Sequence, residues 1–294
     1  MRTIRILATG SHACGVSDEP LSLKGLLEDA GVTDARRTSR FAQLALLGAA
    51  RCVSGRTLPP STAIYLTSGR GDLQTTLEIL VEICRDGHQP APYAFINSVG
   101  NSACFHIAKT FGLSGPSQLV TRLVSPLAAA AQLARLDMTE GCVSTALVGT
   151  VDMCTFPLEE HRERVGMPSG ATAGEGSHWL LLDAGNGADG VGVLKGVASF
   201  TTDDDLRRHL AAAAVVPAQS ILAIGPHAPG DGRARLYRVA GIERLLDPDQ
   251  DRPWHDSRAG DDIHRFLSAP PARALVHIDA DADGCGMLIV VEAR

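Results

Sequence analysis

The stretch from Gly115 to Leu136, "GPSQLVTRLVSPLAAAAQLARL", constrains the fold of this chain more than any other. An apolar strand, "SQLVTRLV", runs into Ser125-Pro126 and then into an Ala-rich helix. Ser favours the N-cap and Pro the first helical position, so the helix is expected to start there. A strand that turns straight into a helix is a unit of a layered α/β fold. Such a turn is also chemically useful, because a helix N-terminus stabilises a developing anion and many enzymes place a nucleophile there. The residues at this turn are Leu123, Val124 and Ser125, with no Cys or His beside them.

The rest of the chain repeats the alternation of strand and helix. Strands are expected at 3–9, 62–69, 143–153, 176–183 and 190–200. The helix at 38–53 carries Phe41, Leu44, Ala45, Leu47 and Ala49 on one face, and the helix at 72–87 carries Leu73, Leu77, Leu80 and Val81. Residues 95–113 read as a loop that becomes a helix. After about residue 200 the pattern weakens to a helix in "DDDLRRHLAAAAVV", a strand in "SILAIGP" and a closing hairpin in "ALVHIDADADGCGMLIVVEA". Between these, 226–272 is rich in Pro, Gly, Asp and Arg, and a long excursion of surface loops and short helices is expected there. The sequence shows no clear internal repeat. The order of elements predicts an α/β fold with a mixed sheet.

A chain of 294 residues holds one large domain or two small ones. A net charge of -6 gives no support for binding nucleic acid or an anionic membrane. No apolar run approaches the roughly 20 residues that a spanning helix needs. The first residues, "MRTIRILATGSHACG", read as a strand and not as a signal peptide. The seven Cys are odd in number, widely spaced and without a CxxC pair. They read as reduced thiols, mostly small buried hydrophobes, in a cytoplasmic protein.

Five segments in order resemble the β-ketoacyl synthases of the thiolase-like superfamily. They are "ARRTSRFAQLAL", "TSGRGDLQTTLEIL", "NSVGNSACFHIAKTFGLSGPS", "ALVGTVDM" and "PSGATAGEGSHWLLLDAG", and they cover roughly residues 35–185. The resemblance implies a thiolase-like layered α/β/α/β/α fold with mixed β-sheets in one domain, 1–294. Residues 1–185 would form its ketosynthase-like half and 186–294 a shortened second half.

In active synthases a Cys lies nine positions after the Gly of the Gly-Pro pair. Counting from Gly115 reaches Val124, which can neither attack a thioester nor donate a hydrogen bond. The His-Gly-Thr-Gly-Thr and Asn-x-Phe-Gly-Phe-Gly-Gly motifs are missing too, and Asp279 or Ala280 stands about where one catalytic His would be sought. Loss of nucleophile and bases together is similar to the chain length factors, the ketosynthase β subunits of type II polyketide systems, in the short form of highly reducing or aryl-polyene-type systems.

That resemblance implies a noncatalytic subunit, without cofactor or metal, that heterodimerises with an active ketosynthase and meets an acyl carrier protein. The family pairs the strand before the nucleophile across its dimer axis, which implies Gln118, Val120, Arg122, Leu123 and Val124 at the interface. It closes its acyl tunnel with the helix after the glycine turn, which implies Leu73, Thr76 and Leu80, together with Ile96. The first three lie at i, i+3 and i+7, hence on one helical face. Arg36, Arg37 and Arg40 are candidates for carrier docking.

Plainer readings stand beside these. Val124 as a packed core residue agrees with an inert site. Cys104 and His106, at i and i+2 on a helix, point apart, so Cys104 reads as buried structure. Ser125 is explained by an N-cap role. "DADADG" (279–284) lacks the twelfth-position Glu of a calcium loop and reads as a turn. His227, His255 and His264 have no metal-ligand spacing. The alternative function is a free-standing acyltransferase or hydrolase that uses a different Cys.

Overall fold

Apolar residues on both faces of a strand force it between two layers. Most strands of this chain have that character, as the computed structural model shows for residues 3–17, 20–35, 37–185, 187, 189–246 and 252–294. The strands are β1 (Ile4–Gly15), β2 (Ala63–Ser68), β3 (Ser117–Thr121), β4 (Thr145–Asp152) and β5 (Gly174–Asp183), then β6 (Gly192–Phe200), β7 (Ser220–Ile224), β8 (Ala274–Ala280) and β9 (Gly286–Ala293). The helices of the first half are α1 (Lys24–Asp29), α2 (Arg40–Val53), α3 (Leu73–Cys84), α4 (Pro92–Ser98), α5 (Ser102–Phe111), α6 (Pro126–Glu140) and α7 (Leu158–Val165). The second half adds α8 (Asp203–Ala212), α9 (Gly230–Ala240) and α10 (Arg258–Ser268).

The strands form one mixed sheet in the order β3-β2-β4-β5-β1-β6-β9-β8-β7. Its two halves obey one rule. β5 is antiparallel to β1 and β4, and β2 is parallel to β4. In the same way β9 is antiparallel to β6 and β8, and β7 is parallel to β8. The halves meet where Ile4, Arg5 and Ile6 of β1 pair antiparallel with β6. Beside β7, where β3 would stand next to β2, Leu222 makes an isolated parallel bridge with Leu245. Leu222 N donates to the Arg244 carbonyl and Leu246 N to the Leu222 carbonyl, both at 2.8 Å. The chain is therefore an internal duplication whose second copy, among the described residues, has a fifth strand cut to one bridge. Side chains differ between the copies, so the repeat shows in the pairing and not in the sequence.

Three apolar clusters define five layers. Alternate strand residues such as Tyr65, Val148, Leu180, Leu194, Ile289 and Val291 point to a central cluster with α6 and α10. Their neighbours in the first half, Ile64, Leu66, Leu147 and Leu181, pack under α2 and α5. In the second half Leu222, Val276, Leu288 and Val290 pack under α8 and α9. The α/β/α/β/α layering is thus present, with the two expected sheets joined edge to edge. Helix α6 packs on β2 and β4 of one half and on β6 and β9 of the other. Ala128, Ala130, Ala131 and Ala134 on it are at most 2% exposed, and their small side chains let both sheets come close.

Several local expectations need correction. Region 226–272 is not a surface excursion, because α10 lies in the central layer with Ala259, Ile263 and Phe266 buried. Its charges misled because they are neutralised inside. Arg252 pairs with Asp261 and Asp262, and Asp262 lies 3.5 Å from His277. Residues 95–98, expected as loop, belong to α4. On α3 the buried residue is Ile79, while Leu80 and Val81 are exposed. That helix is apolar nearly all round, and a single chain can cover only one of its sides. The strand expected at 117–124 ends at Thr121, so Arg122, Leu123 and Val124 lie past its end.

Candidate functional site

The turn into α6 holds the first unusual residue. Ser125 adopts a left-handed backbone, φ 53° and ψ 51°, which for a residue with a Cβ costs on the order of 1–3 kcal/mol. It stands at the N-cap position but makes no capping hydrogen bond, so the cap role expected for its hydroxyl is not observed. The hydroxyl is buried and donates instead to the Asp279 carbonyl at 3.3 Å. Val124, one residue earlier, is half-buried and not a core residue, and its carbonyl accepts from Arg122 Nε at 2.9 Å.

Asp279 closes the end of β8 and begins a chain of charged groups. Its Oδ1 accepts from the His227 and Ala280 backbone N–H groups, both at 3.1 Å, and its Oδ2 lies 2.7 Å from His227 Nδ1. The other ring nitrogen, Nε2, lies 3.1 Å from Asp256 Oδ1. Asp256 also pairs with Arg70, in the glycine turn after β2. Beneath them Asp152 of β4 accepts from Gly69 N at 3.0 Å and from Ser68 Oγ at 3.1 Å. A Cβ at Gly69 would lie 2.7 Å from Asp256 Oδ2, so only Gly lets the turn come this close.

The charges follow from this geometry. Burial by itself would lower the His227 pKa, but the hydrogen bonds and charges of Asp256 and Asp279 outweigh it and push it up to about 10. His227 is an imidazolium at neutral pH, with both nitrogens engaged. Burial opposes the ionisation of Asp256, but His227 and Arg70 hold its carboxyl below the usual range. Burial, and then the charge of Asp256, raise Asp152. The free space left among Arg70, Asp152, His161, His255 and Asp256 is about 20 Å³, enough for about one water.

His255 does not join His227. It stacks on His178 with ring centroids 5.2 Å apart, and its Nδ1 lies 2.8 Å from Ser257 Oγ. Burial lowers His255 to about 4 and His178 well below its ordinary value. His264 Nδ1 lies 2.7 Å from Thr9 Oγ1. Among the described residues no group of three or more His, Cys, Asp or Glu could hold a metal. "DADADG" forms the β8–β9 turn, with Asp281 and Cys285 paired across it. All seven Cys are free. Cys104 is buried, its Sγ donates to the Gln118 carbonyl at 3.7 Å, and burial pushes its thiol up to about 12. Burial pushes Cys52 to about 12 as well and raises Cys14 and Cys154.

The other candidates line the outer face of the first half. Leu73 is half-buried beside the closed corner, whereas Thr76, Leu80 and Ile96 are exposed. Leu80, Ile83, Phe95, Ile96 and Phe105 are 48–63% exposed and form an apolar face on α3, α4 and α5. The single chain encloses no tunnel along them among the described residues. Among the described residues β3 pairs only with β2 and its outer edge is free, with Gln118 and Arg122 exposed and Val120 half-buried. Leu123 is 50% exposed just past it. Of the three arginines, Arg36 lies outside the described residues. Arg40 is committed to the fully buried Glu175, with Nε 2.9 and 3.0 Å from its two oxygens. Arg37 lies over the Tyr93 ring, 5.2 Å from its centre.

Solved structures with this fold are numerous. The chain is similar to "the ishigamide ketosynthase/chain length factor", at 18% identity over 99% of both chains with a TM-score of 0.77. It is similar to a chain of AntDE:AntF, a type II PKS acyl-carrier protein in complex with its ketosynthase bound to the hexaketide, at 12% identity over 100% of both chains and a TM-score of 0.74. The oxazolomycin ketosynthase domain OzmH KS7 of Streptomyces albus JA3453 matches at 13% identity and a TM-score of 0.75, over all of this chain and 75% of that one. At such identities the likeness establishes the fold, which is the thiolase-like fold of the ketosynthases. No family model matches the sequence, and no curated protein matches it.

Proposed function

We propose that this chain is a chain length factor, a noncatalytic subunit that pairs with an active ketosynthase and shapes the acyl tunnel during decarboxylative condensation on an acyl carrier protein. The closed corner carries this reading. A condensing site needs a nucleophile, a free base and room for an acyl chain. Here Val124 stands at the position counted for the nucleophile, and the Ser125 hydroxyl is tied to the Asp279 carbonyl. His227 is protonated between two carboxylates, and the space beside Arg70, Asp152 and Asp256 is about 20 Å³. Burial raises the Cys14, Cys52, Cys104 and Cys154 thiols, which argues against these four as nucleophile, since the thiolate is the reactive form.

The open edge of β3 and the apolar face of α3, α4 and α5 support a partner on the first half. In that complex Gln118, Val120, Arg122, Leu123 and Val124 lie at the interface, and Leu73, Thr76, Leu80 and Ile96 line the tunnel where the partner closes it. The similar structures, a ketosynthase/chain length factor and a carrier protein in complex with its ketosynthase, agree with such partners. No helix among the described residues is long and apolar enough to cross a membrane, which suits work in the cytoplasm. Co-expression with an active ketosynthase, size-exclusion chromatography and a condensation assay test the proposal. The expected result is one complex that turns over, with no turnover by this chain alone. Condensation by the isolated chain would contradict it.

A further inference from the structure

The second half holds a cavity of about 380 Å³ that the corner does not use. It lies beside β7, where among the described residues the fifth strand is reduced to the Leu245 bridge. Leu222, Ile224 and Leu246 give it an apolar wall. Arg233 and Arg238 of α9, Arg252 ahead of α10 and Arg258 at its start also line it, with Asp262 as the acidic group among them.

These arginines are not equivalent. Arg233 donates to the Gly225 and Ile224 carbonyls at 2.9 and 3.3 Å, which fixes its guanidinium at the wall. Arg252 takes up both Asp261 and Asp262. Arg238 is exposed at the rim. Arg258 is half-buried, and among the described residues it makes no hydrogen bond or close ion pair. As the first residue of α10 it adds a positive charge to the positive end of a helix, next to Arg252. Burial, and then Arg252, disfavour its charged form. A bound anion would remove that conflict.

We propose that this cavity binds a phosphate monoester with an apolar body, its phosphate held by Arg258 and the neighbouring arginines. Guanidinium forks match phosphate oxygens, and four arginines against the two carboxylates of Asp261 and Asp262 leave two positive charges over, which suits a dianion better than a monoanion. The volume falls within the roughly 300–1,000 Å³ usual for small-molecule sites. The apolar wall gives the body of the ligand a place out of water. This inference stands apart from the proposed subunit role.

Titration calorimetry on the full-length protein tests it with three probes: 1-naphthyl phosphate, inorganic phosphate and 1-naphthoate. The expected result is saturable one-site binding of 1-naphthyl phosphate, tighter than either of the others. Arg258→Ala should weaken it roughly tenfold or more, the usual effect of losing a charged hydrogen bond. Arg85→Ala, at the exposed C-cap of α3, should leave it unchanged. Without ligand, Arg258→Ala should melt at the same temperature as the parent or higher, since it removes an unpaired cation. Absence of saturable binding would overturn the inference, and so would equal affinity for either control probe. Unchanged affinity in Arg258→Ala, or a lower melting temperature of that variant without ligand, would overturn it too.

Discussion

The two halves of the sheet share strand order and strand direction, yet they are finished differently. Between β2 and β3 the first half inserts α3, α4 and α5, and it ends on a free strand edge. Between β7 and the Leu245 bridge the second half has only α9. The first half therefore carries an apolar face that a single chain does not cover, and the second carries a recessed arginine-lined cavity. One scaffold has been extended for association on one side and trimmed on the other. The charged corner lies where the halves meet, with Ser125 and Arg70 from the first, and His227, Asp256 and Asp279 from the second.

The largest expected effect comes from breaking that meeting point. His227→Ala leaves Asp256 and Asp279 buried without their shared cation, and it should destabilise the protein by about 3–5 kcal/mol in urea unfolding. A loss below about 1 kcal/mol would show that the corner does not tie the halves together. Next, Ala131→Leu overfills the gap where α6 touches both halves and should cost about 1–3 kcal/mol. The same change at Ala129, only partly buried on that helix, should cost less.

Smaller still in stability is Leu80→Asp combined with Ile96→Asp on the apolar face. Exposed substitutions of this kind stay within about 0.5 kcal/mol, yet this pair should abolish co-elution with a ketosynthase partner. Retained co-elution would move the interface elsewhere.

The pH dependence separates the buried groups by sign. His227 has its pKa raised from 6.5 to about 10, so its contribution is full below pH 6.5 and is lost as pH rises toward 10. His12 and His255 are lowered to about 4, because burial penalises their charged forms. The unfolded chain gains protons there first, so stability falls as pH drops from 6.5 toward 4. Melting temperatures should thus be highest between these windows. In His227→Ala the alkaline fall should shrink, while the acid fall should stay.

Much of the layering was legible in the sequence because it rests on local patterns. The alternating strands, the helix start at Ser125-Pro126 and the five segments resembling the ketosynthases are all written in consecutive residues. The corner was not, because Arg70, His227, Asp256 and Asp279 come from four distant segments, and each alone looks like polar surface. Two local signals existed: Arg70 lies in the glycine turn "TSGRGD", and the resemblance put Asp279 or Ala280 about where a catalytic His would be sought. α10 was missed for a related reason: its Asp261 and Asp262 are neutralised inside the protein by Arg252, which precedes the helix, and that composition cannot reveal. The internal duplication was hidden because pairing order, and not residue identity, carries it.

The central claim is that the corner is shut to condensation chemistry. Installing a thiol at both turn positions, Val124→Cys with Ser125→Cys, and assaying condensation without a partner tests it most directly. With His227 held as an imidazolium between Asp256 and Asp279, no free base among the described residues stands beside the new thiols, and no turnover is expected. Measurable condensation by that variant alone would contradict it.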